Sequence, residues 1–185
     1  GNVIDDDIQL EAFLEKFAAV PGKKILVHGG GKIATRIAAS LGIEAKMVDG
    51  RRITDEPMLD VVTMVYAGLT NKKIVATLQK YDCDAIGLSG ADGNVIKAVK
   101  RPVKDIDYGY AGDILADSVN ALAIKKFLDA GFTPVFSAIT HNGNGQLLNT
   151  NADTIASALA TALSSYYETS LIYCFEKNGV LLDVN

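Results

Sequence analysis

The chain has 185 residues, 49% hydrophobic and 22% charged, which is globular composition with room for one good core or for one large and one small lobe. A formal net charge of −4 with no basic run argues against a nucleic-acid partner. No apolar run approaches the roughly 20 residues of a membrane span, and the sequence given carries no secretory pattern.

Cys83 and Cys174 lie far apart among mixed neighbours and read as unpaired thiols in a reducing compartment, the cytoplasm. With two Cys and two His scattered along the chain, no metal-ligand spacing occurs.

Residues 5–20 read as an amphipathic helix with Ile8, Phe13, Leu14 and Phe17 on its apolar side, stopped by Pro21-Gly22. Residues 24–28 form an apolar strand that runs directly into Gly29, Gly30 and Gly31, and a helix over 32–41 follows with Ile33, Ile37 and Leu41 on one face. Strand, glycines and helix in that order make an anion cradle. Backbone N–H groups approach a ligand without a Cβ in the way, and the positive helix end adds to them. No Gly-Lys-Ser/Thr follows, so this is not a Walker loop, and the G-x-G-x-x-G spacing of dinucleotide folds is absent.

Residues 43–48 read as a strand and Asp49-Gly50 as a turn. Arg51 and Arg52 fall in a polar connecting stretch. Asp55 can cap the next helix, with Pro57 in its first turn and a buried stripe of Met58, Val61, Val62 and Val65. Residues 71–81 look helical, and 84–88 form a strand that ends in a second glycine-rich stretch, 89–93. Residues 95–103 read as an exposed strand in a hairpin and 105–114 as a loop carrying Gly109 and Gly112. A helix over 117–130 has an apolar face of Val119, Leu122, Ala123 and Phe127, with Gly131 as its stop. A strand over 133–139 leads to the hairpin signal Asn142-Gly143-Asn144-Gly145. The stretch from Gln146 to Asp153 precedes a regular amphipathic helix, and 170–175 read as a last strand. Strands alternate with helices, which predicts an α/β fold with a mostly parallel sheet and helices on both faces.

In such sheets ligands sit at the carboxyl ends of strands. Four pieces fall there: residues 29–31, residues 89–93, Arg52, and Asn149 to Asp153. Arginine offers a planar fork for a carboxylate, and asparagines offer donors and acceptors for an amide. Each also has a plain structural reading. Arg52 can be a solvated loop residue, Asp153 a first-turn charge, Asn149 and Asn151 turn and capping residues. His28 reads as packed or hydrogen-bonded rather than as a base. Lys72 and Lys73 read as a solvated helix face, and Tyr166-Tyr167 as packing at a helix end.

Four motifs together resemble the N-acetylglutamate kinases of the amino acid kinase superfamily. They are Val27-His28-Gly29-Gly30-Gly31, Gly50-Arg51-Arg52-Ile53-Thr54-Asp55, Ala67-Gly68-Leu69-Thr70-Asn71-Lys72, and Gln146-Leu147-Leu148-Asn149-Thr150-Asn151-Ala152-Asp153. The resemblance runs in order over nearly the whole chain. It implies a three-layer αβα sandwich around a mainly parallel sheet. Residues 1–140 would form the amino-acid-substrate lobe, which carries the dimer contact, and 141–185 the start of the ATP-binding lobe. It further implies ATP with Mg²⁺ as cosubstrate, an N-acyl-L-glutamate as acceptor, and a homodimer or larger homo-oligomer. Gly30 and Gly31 would contact the acylglutamate and, with Gly29, donate N–H bonds to the transferring phosphoryl group. Arg52 would hold the α-carboxylate, and Asn149 and Asn151 the α-carboxylate and acylamido groups. Asp153 would orient two catalytic lysines. Glu176, Lys177, Asn178, Gly179, Val180 and Leu181 would line the nucleotide pocket.

The side-chain carboxylate of the substrate is ionised at pH 7 and needs no general base; the chemistry needs charge neutralisation on the phosphoryl group. The sequence departs from the family pattern in three places. The family's Lys-x-Gly-Gly strand would end at Gly1, so its lysine lies outside the sequence given. The segment bearing the second lysine lies beyond Asn185. The usual Ser-Asp-Val-x-Gly turn reads Phe175-Glu176-Lys177-Asn178-Gly179. Residues 1–185 alone are therefore expected to be inactive. The acyl group stays open between acetyl, taken as the first choice, and succinyl. A non-catalytic acylamino-acid-binding domain or another superfamily kinase are the alternatives.

Overall fold

In the computed structural model of the chain, residues 2–174 are described. A short 3₁₀ turn, Asn2–Asp5, precedes helix α1, Asp7–Ala19. Asp6 caps it, its Oδ1 accepting from the N–H groups of Ile8 and Gln9 at 3.0 Å each. The helix buries Leu10 and Leu14, one turn apart, whereas Ile8, expected on the apolar side, is 82% exposed. Strand β1, Leu26–His28, and helix α2, Gly31–Ser40, follow. Ala34 and Ala38 form the fully buried line of α2, with Ile33 and Ile37 beside it, and Leu41 faces solvent.

Strands β2, Met47–Val48, and β3, Arg51–Arg52, make a two-residue hairpin. Both turn residues, Asp49 and Gly50, have positive φ, the backbone twist such a tight hairpin requires. The strand expected over 43–48 is thus confined to its last two residues. The arginines expected between elements lie in β3, where strand alternation exposes Arg51 and buries Arg52.

Helix α3, Glu56–Thr63, a π-helical segment, Met64–Thr70, and α4, Asn71–Lys80, follow one another without a break. Asp55 caps α3 by accepting from the Met58 N–H at 3.0 Å, and Met58, Val61, Val62 and Val65 are buried as their spacing requires. After strand β4, Ala85–Leu88, come β5, Val99–Lys100, β6, Ala111–Asp113, helix α5, Ala121–Asp129, strands β7, Thr133–Ser137, β8, Ile139–His141, and β9, Leu147–Thr150, and helix α6, Ala152–Leu163.

Strands β1, β7 and β4 form a parallel sheet with β7 in the middle. Alternation along β7 defines its two faces: Val135 packs with Leu10, Leu14, Ile74 and Leu78 of α1 and α4, while Phe136 packs with Ile124 and Leu128 of α5 and Ile155 and Leu159 of α6. The result is the expected helix–sheet–helix sandwich. A second, mixed sheet has the order β5-β6-β9-β8 and closes over α3.

Three sequence expectations fail for identifiable reasons. Residues 95–103 are not one exposed strand: only Val99–Lys100 form a strand, antiparallel to Ala111–Asp113 as a hairpin requires, while Ile96 and Lys97 make isolated bridges to Val119 and His141, and Val95 and Ile96 are completely buried. Residues 105–114 are not all loop, because Ala111–Asp113 is a strand held between β5 and β9. Gly112 suggested a loop, yet it is a strand glycine at a close approach, where an added Cβ would lie 2.5 Å from Thr150 Oγ1. Residues 170–174 form no strand, for they take part in no ladder with any described strand, and Ile172 is 79% exposed. The face of α5 is also rotated, with Ile124 and Leu128 buried and Leu122 exposed.

Candidate functional site

The carboxyl ends of the three parallel strands meet at one edge, where His28 pairs in register with Ser137 and Leu88 with Phe136. Beyond β4, the loop at 89–93 is closed on itself: Asp92 Oδ2 accepts from the Ser89 N–H at 2.6 Å and from Ser89 Oγ at 2.8 Å. Beyond β1 lies the glycine run.

The three glycines there are not equivalent. Gly30 is the N-cap of α2 with φ +155°. An added Cβ would sit 3.0 Å from the Tyr66 ring and 3.3 Å from Thr70 Oγ1, so the fold itself demands glycine at 30. At Gly29 an added Cβ would meet nothing within 4 Å, and φ is not positive. The space beside Gly29 is open. Among the described residues, the N–H groups of Gly30 and Gly31 have no acceptor, and they stand at the positive end of α2.

Arg52 closes this corner. Its Nη2 donates to the Gly31 carbonyl at 2.9 Å and to Thr35 Oγ1 at 2.8 Å, and its Nη1 lies 3.8 Å from Met58 Sδ. The residue is only 8% exposed, and among the described residues no carboxylate pairs with it. A buried guanidinium without a counter-charge is costly unless a ligand supplies one. Tyr66 packs beside it under Gly30; burial pushes its phenol pKa up, and the Arg52 charge pulls it back.

Asn149 is tied to the same strand. Its Nδ2 donates to Thr54 Oγ1 at 3.0 Å, and that hydroxyl donates to the Arg52 carbonyl at 3.2 Å. Arg52 and Asn149, 97 residues apart in sequence, thus share one hydrogen-bonded chain through the fully buried Thr54. Asn151 instead caps α6: its Oδ1 accepts from the Thr154 N–H at 2.9 Å and from Thr154 Oγ1 at 3.2 Å. Asp153 is exposed in the first turn of α6 and its carboxylate pairs with no described residue. It lines a groove of about 520 Å³ with Ile114, Leu115, Thr154, Ser157 and Tyr173. No hydrogen bond joins it to residues 29–31 among the described residues. The six positions 176–181 assigned to the nucleotide lie outside the described residues.

His28 is packed and hydrogen-bonded, not a base. It is 4% exposed, and burial lowers its pKa to about 4, so the ring is neutral at pH 7. Lys72 is less free than expected of a solvated face: its Nζ donates to Asn71 Oδ1 at 3.1 Å and to the Gly87 carbonyl at 3.3 Å. Tyr167 does anchor the end of α6, donating to Asp129 Oδ1 at 3.0 Å.

Sequence reasoning passed over Thr35, Thr54, Tyr66, Thr70 and Asn71. Thr54, Thr70 and Asn71 stand in motifs carrying the family resemblance, but no role is read for them there, and nothing in the spacing of Thr70 and Asn71 announces a π-helical turn, a device common at functional sites.

A parallel sheet between helix layers, with a glycine turn at its carboxyl edge and beside it a buried arginine that no described carboxylate pairs, makes this an α/β protein with the layout of a ligand-binding strand edge. The chain belongs to the amino acid kinase family, whose sequence model matches residues 1–184. Among curated relatives, the acetylglutamate kinase of Phocaeicola vulgatus is 56% identical over 185 residues, all of this chain and 71% of that protein. The acetylglutamate kinase of Bacteroides thetaiotaomicron is 55% identical over the same shares. That of Methanopyrus kandleri is 39% identical over 93% of the chain and 70% of its own length. Solved structures agree on the fold. An N-acetylglutamate synthase from Neisseria gonorrhoeae matches with TM-score 0.71 at 24% identity, over 86% of this chain and 38% of that one. The Streptococcus mutans protein smu.665 matches with TM-score 0.70 at 24% identity, over 85% and 61%.

Proposed function

We propose that this chain supplies the amino-acid-substrate side of an ATP-dependent kinase that phosphorylates the side-chain carboxylate of an N-acyl-L-glutamate, with acetyl as the first choice, in cytoplasmic arginine biosynthesis. The observation that carries the reading is Arg52: buried, without a described counter-charge, its Nη2 2.9 Å from the carbonyl of Gly31, whose N–H has no acceptor among the described residues. A substrate α-carboxylate would complete its guanidinium bidentately. Gly30 and Gly31, with Gly29, would present N–H groups to the phosphoryl group as charge builds up on it. Asn149 and Asn151 would meet the α-carboxylate and the acylamido group. Asp153 would orient two lysines supplied by the rest of the protein.

ATP would be met at Glu176, Lys177, Asn178, Gly179, Val180 and Leu181. The Mg²⁺ that neutralises the nucleotide would ride on its phosphates and on water. Residues 1–140 would be the substrate lobe and 141–185 the start of the nucleotide lobe of a homodimer or larger homo-oligomer.

The test is phosphoryl transfer by the full-length protein from ATP to N-acetyl-L-glutamate and N-succinyl-L-glutamate in separate and competing assays. Acyl phosphate formation, trapped with hydroxylamine, is the expected result. Tight calorimetric binding of the acylglutamate with no turnover would instead make the protein a binding domain.

A further inference from the structure

His28 and Asn71 join the glycine cradle to the layer of the molecule behind it. Asn71, 1% exposed at the start of α4, reaches under the sheet. Its Nδ2 donates to the Val135 carbonyl of β7 at 2.9 Å and lies 3.0 Å from His28 Nε2. Its Oδ1 accepts from Lys72 Nζ at 3.1 Å. These partners fix the amide orientation, because a lysine ammonium can only donate and a carbonyl can only accept. The amide nitrogen therefore donates to His28 Nε2, which must be the bare nitrogen of the ring. The ring proton is then on Nδ1, and Nδ1 sits 2.8 Å from the Gly29 carbonyl. His28 donates to that carbonyl.

The Gly29–Gly30 peptide is trans, so its C=O and N–H point in opposite directions. With the carbonyl held toward His28, the Gly30 N–H is held away from it. Among the described residues that N–H has no acceptor. Glycines on either side of the bond would otherwise let this peptide plane rotate at little cost. The space kept for the network is unusual: at Gly87 on β4 an added Cβ would fall 1.9 Å from Asn71 Oδ1 and 2.6 Å from Lys72 Nζ.

We propose that His28, with its tautomer set by Asn71, is a positioning residue that clamps the Gly29–Gly30 peptide so that the Gly30 N–H is aimed at the transferring phosphoryl group. The clamp rests on the reading of residues 29–31 as a phosphoryl cradle. It explains why a buried, neutral histidine stands directly before the glycines. The histidine exchanges no proton with substrate; it decides which side of one peptide bond the ligand sees. A preorganised donor acts only if its direction is fixed before charge develops.

The two ring nitrogens can be tested separately in the full-length protein. Asparagine at 28 places an amide donor near the Nδ1 position and loses the partner of Asn71. Glutamine places its amide near Nε2 and loses the Gly29 contact. His28→Gln should lower kcat about tenfold to a hundredfold, with the KM for acylglutamate changed less than about threefold. His28→Asn should recover most of that loss. Equal kcat losses in both variants, or a larger loss in Asn than in Gln, would overturn the clamp. An independent readout is the histidine tautomer by ¹⁵N NMR of the unsubstituted protein, the His28 ring signal being assigned through correlations to its own backbone. An Nδ1–H tautomer is expected, and an Nε2–H tautomer would overturn the proposal even if the variants do not fold. If the unsubstituted protein transfers no phosphoryl group at all, the cradle reading fails rather than the clamp, and the tautomer still reports on the latter.

Discussion

The two sides of the candidate site are built differently. On one side Arg52, Gly31, Thr35, Thr54 and Asn149 form a hydrogen-bonded set centred on the buried Arg52 and Thr54, with Gly31 and Thr35 of α2 at its exposed rim and Asn149 of β9 half-buried behind it. On the other, Asp153 and the Asn151 cap stand exposed at the start of α6, beside an open groove. A guanidinium fixed from behind loses little freedom when a carboxylate arrives, which is the advantage of preorganisation. An exposed aspartate has no such restraint and depends on whatever partner comes to it. The contrast fits the proposed site: the substrate α-carboxylate would meet side chains already held in place, while the exposed start of α6 would take its order from what binds there.

Arg52 gives the strongest way to break that comparison. Arg52→Met keeps most of the apolar stem and removes a buried charge that no described group neutralises. The KM for acylglutamate should rise at least about 30-fold, since desolvated bidentate charge pairs contribute about 2 to 5 kcal/mol. The Tm should stay the same or rise, because the folded apo protein loses an uncompensated charge. A fall in Tm with unchanged KM would make Arg52 a structural residue and dissolve the contrast.

The next effect is on stability. His28 titrates near 4 in the folded protein against 6.5 when unfolded, so its folded-state pKa is depressed. Between those values the unfolded chain binds the extra proton. Stability from the neutral ring is complete above about pH 6.5 and is lost as pH falls toward 4, by about 3 kcal/mol at most. Denaturant midpoints measured from pH 7 to pH 4 should fall in this window, and His28→Asn should flatten the fall. A midpoint equally steep in the variant would assign the loss to other groups. His141, whose pKa burial also lowers, is the first of these.

The legible part of this fold was the part written as periodicity and punctuation. The stripe Met58, Val61, Val62 and Val65, the Asp55 cap, the Asn-Gly hairpin and the strand into three glycines each carry their own local reason, and each stands where expected. The errors arose where distant contacts decide. Gly112 sits in a strand because Thr150 approaches it, and Arg52 is buried because Gly31 and Thr35 accept from it. No sequence window contains both members of either pair. The site followed the same division. The glycines and Arg52 could be named from residue chemistry, but Thr54, which connects Arg52 to Asn149, could only be found once the strands were placed. Tyr66 and Thr70 meet Gly30 through a π-helical turn that no apolar spacing encodes.

The smallest effect sharpens the exposed side. Asn151 has a structural duty in the fold, the α6 cap through its Oδ1, and a proposed one, the substrate amide. Asn151→Ala should remove about 1 kcal/mol of stability by loss of the cap, or roughly 2 to 4 °C in Tm for a domain of this size. Asn151→Ser keeps a capping oxygen and removes the NH₂ group. If the residue only caps, Ser restores both Tm and KM. If its amide also meets the substrate, Ser restores Tm while KM stays raised about fivefold, the worth of one neutral hydrogen bond of about 1 kcal/mol. The first result would place the substrate entirely on the Arg52–Asn149 side; the second would make the start of α6 part of its pocket.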